Sequence, residues 1–114
     1  MAIELKRIER DDDIVQVALI GRLDVAAIHE VDIKFHGMTA AQRKHTIVDL
    51  TGLDFISSLG MGMFVGCARS LHRYEKKMVL VNPNQDVSVA LSWAGIDQAI
   101  PVVVSVEEAV AILR

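Results

Sequence analysis

The sequence predicts an α/β domain in which a mixed β-sheet of about five strands has about four helices packed against it. Short apolar runs, typical of strands, alternate with segments in which apolar residues recur every three or four positions, typical of helices. Gly, Pro, Asn and Asp separate these segments, as turn residues do. With 52% hydrophobic residues, a chain of 114 residues is long enough for one core and too short for two. We therefore expect one domain over residues 1–114.

Two strands open the chain. In residues 3–10, charged and apolar side chains are mixed on both sides of an extended segment, which predicts an edge strand, and Ile14–Leu23 predicts a second strand antiparallel to it. The three aspartates at residues 11–13 lack the alternating ligand spacing of a calcium loop. We interpret them as a solvated hairpin turn.

A helix is expected over residues 26–35, because Ile28, Val31 and Phe35 recur at helical spacing. Asp24 stands just before it, where a carboxylate can cap the first turn. A polar connection then leads to a strand at residues 45–50 that is apolar enough to be covered on both faces.

The last third of the chain predicts two further strands, each followed by a helix. The first strand, at residues 78–81, is followed by a helix that Asn84 or Asp86 caps; this helix runs to about Trp93 and ends at a left-handed Gly95. The second strand, at residues 102–104, is followed by a helix that starts at a capping box of Ser105 and Glu108.

The middle of the chain carries the candidate functional site. After the strand at residues 45–50 and a short turn, Ser57 or Ser58 can cap a helix that runs to about Tyr74. Phe64, Ala68 and Leu71 on this helix recur at core spacing. The opposite side is apolar or small where a solvated helix usually carries charges. This stripe consists of Leu59, Met63, Gly66 and Ser70.

The serines and the stripe each have two interpretations. A serine at a helix N-terminus suits a switch, because the helix dipole stabilises an added phosphate there. A serine before a helix is nevertheless more often only a cap. The stripe is suited to docking a partner, but a small apolar stripe is also commonly covered by the protein's own loops. The residues alone leave both questions open.

Residues 49–62 read DLTGLDFISSLGMG. This motif resembles the D-L-S-x-x-x-F-[IML]-D-S-S-G-L-G signature of the STAS domain, the family of sulfate transporter and anti-sigma factor antagonist domains. The segment from Gly21 to Asp24 is similar to the family's G-x-L-D pattern. The end of the chain, from LSWAGID onwards, also resembles the end of STAS domains. The resemblance spans nearly the whole chain and implies a single STAS domain.

This sequence departs from the family signature at the position of the phosphorylated serine. Typical members have their phosphorylated serine immediately before the first glycine of the motif, and Leu59 stands at that position before Gly60. Ser58 precedes it, and Ser57 replaces the aspartate of the pattern. The phosphoacceptor candidates are therefore Ser58 and Ser57, and a variant that is never phosphorylated is the alternative.

The resemblance implies an anti-sigma factor antagonist. Its partner would be an anti-sigma factor or a serine kinase of the histidine-kinase-like ATPase type, and the protein itself would be a monomer or a weak dimer. The partner-binding residues implied are Asp24, Ser57, Ser58, Leu59, Gly62, Met63, Gly66 and Ser70. The alternative is a STAS scaffold or signalling-complex subunit in which Leu59 is a fixed hydrophobic anchor.

Composition and motifs argue against other classes of function. A net charge of −3, a pI of about 5.7 and the lack of a basic cluster disfavour nucleic acid and anionic membranes as partners. No apolar run approaches the roughly 20 residues that span a bilayer, and the charged N-terminus is unlike a signal peptide. We expect a free-standing cytoplasmic protein.

Neither catalysis nor a cofactor is expected. Cys67 is the one cysteine and is interpreted as a small core residue, and the four histidines lack the spacing of metal ligands or of a catalytic dyad. The sequence has no glycine-rich phosphate loop, and no histidine lies in register to activate Ser58. We expect a binding protein that holds no metal and is not an enzyme.

Overall fold

Six strands form one mixed sheet in the computed structural model, which describes residues 3–114. The strands are β1 (Ile3–Asp11), β2 (Ile14–Leu23), β3 (His45–Asp49), β4 (Leu53–Ile56), β5 (Met78–Val81) and β6 (Val102–Val103). The order is β1-β2-β3-β5-β6, and β4 pairs with the end of β2. Only β1 runs antiparallel to its neighbour among the described strands. The predicted α/β fold, the mixed sheet and the edge strand are confirmed.

Over residues 3–114, five helices cover the two faces of this sheet. They are α1 (Val25–Met38), α2 (Ser58–His72), α3 (Gln85–Trp93), α4 (Ile96–Ala99) and α5 (Val106–Leu113), and a 3-10 turn spans Ala40–Gln42. Helices α1 to α4 pack on one face and α5 packs on the other. Within residues 3–114, no helix combines the length and the apolarity needed to cross a bilayer.

The core has one layer on each side of the sheet. On the larger side, the rings of Phe35 in α1 and Phe64 in α2 lie 5.6 Å apart, centroid to centroid. On the other side, Ala109 and Leu113 of α5 pack against Ile47 of β3 and its neighbours. Strands β3 and β5 are therefore covered on both faces, which accounts for the unbroken apolar sequence of β5 and for the burial of residues 46–48 in β3.

The caps of α3 and α5 lie at residues that the sequence predicts. Asn84 Oδ1 accepts the Val87 N–H at 2.8 Å, so Asn84 rather than Asp86 caps α3. Gly95 follows that helix with a φ of 76°, a left-handed conformation that favours glycine. Ser105 Oγ accepts the Glu108 N–H at 3.1 Å at the start of α5.

Two short elements go beyond the sequence-based prediction. Strand β4 lies where the sequence predicts only a turn, and α4 lies where it predicts a connection to Pro101. In β4, Leu53 and Ile56 are buried while the two residues between them are exposed. That pattern does not alternate with a period of two, so it does not look like a strand in the sequence.

Cys67 is fully buried in α2, as predicted for a core residue. Burial raises the pKa of its thiol to about 11, so the nucleophilic thiolate is scarce at neutral pH. Among residues 3–114, no three side chains of His, Cys, Asp or Glu gather in a way that could hold a metal ion.

His45, at the start of β3, contacts both the turn between β1 and β2 and the segment that precedes β5. The backbone N–H of Lys77 donates to His45 Nδ1 at 3.0 Å, and His45 Nε2 lies 3.5 Å from a carboxylate oxygen of Asp13. Lys76 also pairs with Asp13, at 2.6 Å. Burial lowers the pKa of His45 below its ordinary value of 6.5; Asp13 opposes this shift, and Lys76 and Lys77 add to it.

We expect stability to fall when His45 is protonated. Because the pKa of His45 is lower in the folded state, its contribution is complete above about pH 6.5 and is lost as the pH falls through the folded pKa. The variant His45→Asn keeps an oxygen that can accept the Lys77 N–H but does not titrate. Urea unfolding between about pH 7 and 5 should therefore show a shallower pH dependence for the variant. Equal pH dependence in the two proteins would contradict the assignment.

Candidate functional site

The N-termini of α1 and α2 lie side by side at the carboxyl ends of β2 and β4. In the parallel register of these strands, Leu23 is opposite Ile56. The Ser57 N–H donates to the Leu23 carbonyl at 2.9 Å and extends this pairing by one residue. Asp24 and Ser57 each follow the last residue of their strand. Strand β4 thus brings together two candidate residues that are 33 positions apart in the sequence.

Both of these residues cap their helices. Asp24 Oδ1 accepts the Ala27 N–H at 2.9 Å, and Ser57 Oγ accepts the Gly60 N–H at 3.2 Å. The prediction that Asp24 caps the first helix is confirmed, and Ser57 is the cap of α2. Since the N-terminus of a helix carries partial positive charge, two such ends side by side favour negative groups at this edge of the sheet.

Gly60 lets the first turn of α2 sit directly on the ends of β2 and β4. A Cβ atom built at this position would lie 2.8 Å from Leu23 Cδ2 and 3.0 Å from Ile56 Cγ1. Leu23 is completely buried and Ile56 nearly so, which leaves little room for either side chain to move. Gly60 therefore sets the position of the neighbouring residues of α2.

Ser58, Leu59 and Gly62 face outward on the first turns of α2. Ser58 and Gly62 are exposed, and 54% of Leu59 is accessible to solvent. Nothing within 4 Å would obstruct a Cβ on Gly62. Among residues 3–114, no histidine or carboxylate forms a hydrogen bond with the Ser58 hydroxyl. We call Asp24, Ser57, Ser58, Leu59 and Gly62 together the α2 N-terminal surface.

The expectation that Met63 belongs to the outward stripe is wrong. Only 5% of Met63 is exposed, and it packs in the core with Phe64 and Cys67. At about 100° per residue, Met63 lies at the edge of the buried side of α2, and Leu59 lies about 40° further round towards solvent. Gly66 and Ser70 are half-buried on the same flank. Ser70 is about 18 Å along the helix from Ser58 and so lies away from the α2 N-terminal surface.

Two further residues, Arg22 and Phe55, lie beside the site; Phe55 stands at the aromatic position of the STAS signature, but no pattern in the sequence predicts its contact with Arg22. The guanidinium of Arg22 lies over the ring of Phe55 at 4.4 Å from its centroid, and 39% of Phe55 is exposed. Their contact depends on the pairing of β2 with β4, where Arg22 is opposite Phe55. A cavity of about 300 Å³ beside them is lined by both residues and by Asp54, Ile56, Asp86, Val87 and Ala90.

The model of the STAS domain family matches residues 6–109 of this chain. The chain belongs to the STAS domain family. One relative of this STAS protein is the anti-sigma-B factor antagonist of Listeria monocytogenes, which is 32% identical over 83 residues, 70% of this chain and 68% of the relative. The sequence-based recognition of the family is confirmed.

Solved structures agree with the fold. An anti-sigma factor antagonist from Mycobacterium paratuberculosis superposes with a TM-score of 0.89 at 16% identity, over 99% of this chain and 95% of that one. The anti-sigma factor antagonist SpoIIAA in its unphosphorylated form gives 0.77 at 21% identity, over 94% and 93% of the two chains. The phosphorylated form of SpoIIAA from Bacillus gives 0.68 at 22% identity, over 97% and 100%.

Proposed function

We propose that this STAS protein is an anti-sigma factor antagonist that binds an anti-sigma factor through the α2 N-terminal surface. One observation carries the proposal: an exposed leucine and an exposed serine project side by side from a helix start that is fixed against the sheet by Gly60. The name of the relative in Listeria supports the class of partner.

The chemistry of this surface suits a protein partner. Burial of a leucine side chain stabilises a complex by about 1.5–3 kcal/mol when the side chain starts fully exposed, and Leu59 starts about half exposed. Phe55 extends the apolar area, and Arg22 stacked on it supplies a residue type that is common at binding hot spots. Gly62 has no side chain, so a partner can approach the helix backbone there.

The partner we propose is a serine kinase of the histidine-kinase-like ATPase type, with Ser58 as its phosphoacceptor. The Ser58 hydroxyl is exposed, whereas Ser57 is half-buried and its oxygen caps α2. A phosphate on Ser58 would add about two negative charges near Asp24, because the backbone bond between Ser57 and Leu23 holds the two helix starts together. Repulsion and desolvation would then oppose docking, while the N-terminus of α2 would tolerate the phosphate within the folded protein.

The second candidate function is a STAS scaffold without a phosphorylation switch. Leu59 occupies the position at which typical family members carry the phosphorylated serine, and its side chain points into solvent. In this function Leu59 is a fixed hydrophobic anchor for a partner in a signalling complex.

The variant Ser58→Asp is expected to weaken binding to the anti-sigma factor by about tenfold or more, a loss of about 1.4 kcal/mol. The added carboxylate places a charge at the docking surface, and its position in the first turn of α2 preserves the helix. Calorimetric titration against the purified anti-sigma factor of the same organism measures the effect, with Ser58→Asn as the uncharged control. Equal affinity of the Asp and Asn variants would contradict a charge-sensitive surface.

Intact mass spectrometry after incubation with this partner and ATP separates the two candidate functions. Gain of one phosphate that Ser58→Ala abolishes supports the switch. Binding without any gain of phosphate supports the scaffold. The variant Leu59→Ser restores the serine before Gly60 and serves as a positive control for kinase activity, since it recreates the family's usual acceptor position. Absence of binding in every protein would reject both functions.

A further inference from the structure

A second cavity lies at the opposite end of α2. Its volume is about 660 Å³, within the roughly 300–1,000 Å³ typical of small-molecule sites. The walls come from the C-terminal half of α2, from the segments that precede β5 and β6, and from Ile112 of α5. Arg73 in this wall is about 22 Å along the helix direction from Ser58, so the cavity is separate from the α2 N-terminal surface.

Basic side chains converge on this cavity. They are Arg69, His72, Arg73, Lys76 and Lys77, and the lining includes no carboxylate. This convergence contrasts with the sequence-based expectation that the chain has no basic cluster. In a protein of net charge −3, it creates a local region of positive potential.

The fold itself leaves most of these charges without a partner. Lys76 pairs with Asp13 at 2.6 Å, but Arg69, Arg73 and Lys77 form no ion pair within residues 3–114. A helix C-terminus commonly attracts cations to its free carbonyls. Here carbonyls of the last turn already accept backbone N–H groups of residues 73–76 at 2.9–3.4 Å. Arg69, Arg73 and Lys77 are therefore available to an anion.

The rest of the lining is aliphatic. It consists of Val65, Ala68, Met78, Ala99, Ile100, Pro101 and Ile112. The lining has no phenylalanine, tyrosine or tryptophan ring on which a nucleotide base could stack. It also has no carboxylate or side-chain amide to bind a sugar or the edge of a base. An aliphatic chain matches this lining, and its anionic end matches the basic rim.

We propose that this cavity binds an aliphatic chain that ends in an anionic head group, a carboxylate or a phosphate. The chain lies against the apolar residues of α2 and α5, and the head group pairs with Arg69 and Arg73. A guanidinium binds either head group through two parallel hydrogen bonds, so the site accommodates both kinds of anion.

Calorimetric titration of the full chain with sodium dodecanoate and with dodecyl phosphate, below their micelle concentrations, tests the proposal. We expect saturable one-to-one binding of at least one of them, and comparison of the two identifies the preferred head group. Dodecyltrimethylammonium, with the same tail and the opposite charge, should bind at least about tenfold more weakly. Inorganic phosphate, which lacks the tail, should also bind at least about tenfold more weakly.

The double variant Arg69→Gln/Arg73→Gln should weaken binding of the preferred amphiphile by about tenfold or more. Lys6→Gln/Lys34→Gln removes two exposed cations elsewhere and should leave the affinity unchanged. Thermal unfolding checks that both variants fold. Equal binding by both variants, or no binding by the wild-type protein, would overturn the proposal. Equal affinity for a short polyglutamate peptide would do so too, because it would show an acidic protein site instead.

Discussion

Replacing Gly60 by alanine is expected to lower the free energy of unfolding by about 2 kcal/mol, although alanine is the better helix former. The new methyl group would lie 2.8 Å from Leu23 Cδ2 and 3.0 Å from Ile56 Cγ1. Both neighbours are held in the core at the junction of β2 and β4, so relief requires α2 to shift away from the sheet. The strain exceeds the gain of about 1 kcal/mol in helix propensity.

Gly62, two residues further along the same helix, is the matched control. It is exposed and nothing lies within 4 Å of a Cβ built on it. Gly62→Ala should therefore raise the free energy of unfolding by about 0.5–1 kcal/mol through helix propensity alone. Urea denaturation of the two variants should give changes of opposite sign. A stabilising effect of both substitutions would show that α2 is not packed on the ends of β2 and β4 as closely as described.

The sequence is sufficient to predict the fold because its strongest signals are long or chemically specific. Buried parallel strands such as β5 are continuous apolar runs, and Asp24 and Ser105 mark the helix starts. Strand β4 has neither kind of signal, since it has four residues and depends on the carboxyl end of β2 for its pairing. That pairing is a tertiary interaction, which local sequence does not encode.

The candidate site is only partly predictable for the same reason. Asp24 and Ser57 can be chosen as helix caps, but their adjacency follows from the pairing of β4 with β2. The contact between Arg22 and Phe55 has the same origin. The sequence misplaces Met63 because residues i and i+4 of a helix differ by only about 40° around its axis. The boundary between buried and exposed sides is set by the elements that pack on α2, not by its own periodicity.

The largest effect on binding is expected from Leu59→Asp, which should weaken the complex with the anti-sigma factor by about 100-fold or more, about 2.7 kcal/mol. The substitution removes the exposed apolar side chain of the α2 N-terminal surface and places a charge where the partner would exclude water. The fold should persist, because Leu59 is 54% exposed and a carboxylate in the first turn of a helix is favourable. Calorimetric titration and thermal unfolding measure the two effects separately.

Ile33→Asp is the control for Leu59→Asp, since Ile33 is 88% exposed on α1 and lies outside the proposed surface. It should leave the affinity unchanged. Equal loss of binding in both variants would point to a general response to added negative charge and would remove the case for Leu59 as a contact.

Leu59→Ala then distinguishes how the surface works. If Leu59 is the fixed anchor of a scaffold, its truncation should cost nearly as much affinity as Leu59→Asp, because the apolar contact carries the binding. If Ser58 is a phosphorylation switch and binding is sensitive to negative charge at the start of α2, Leu59→Ala should lower the affinity much less than Leu59→Asp. Ser58→Asp should then reproduce most of the larger loss, because Ser58 and Leu59 are adjacent at the same exposed helix start. The ranking of these three variants therefore separates apolar anchoring from charge control, whether or not Ser58 is phosphorylated in the cell.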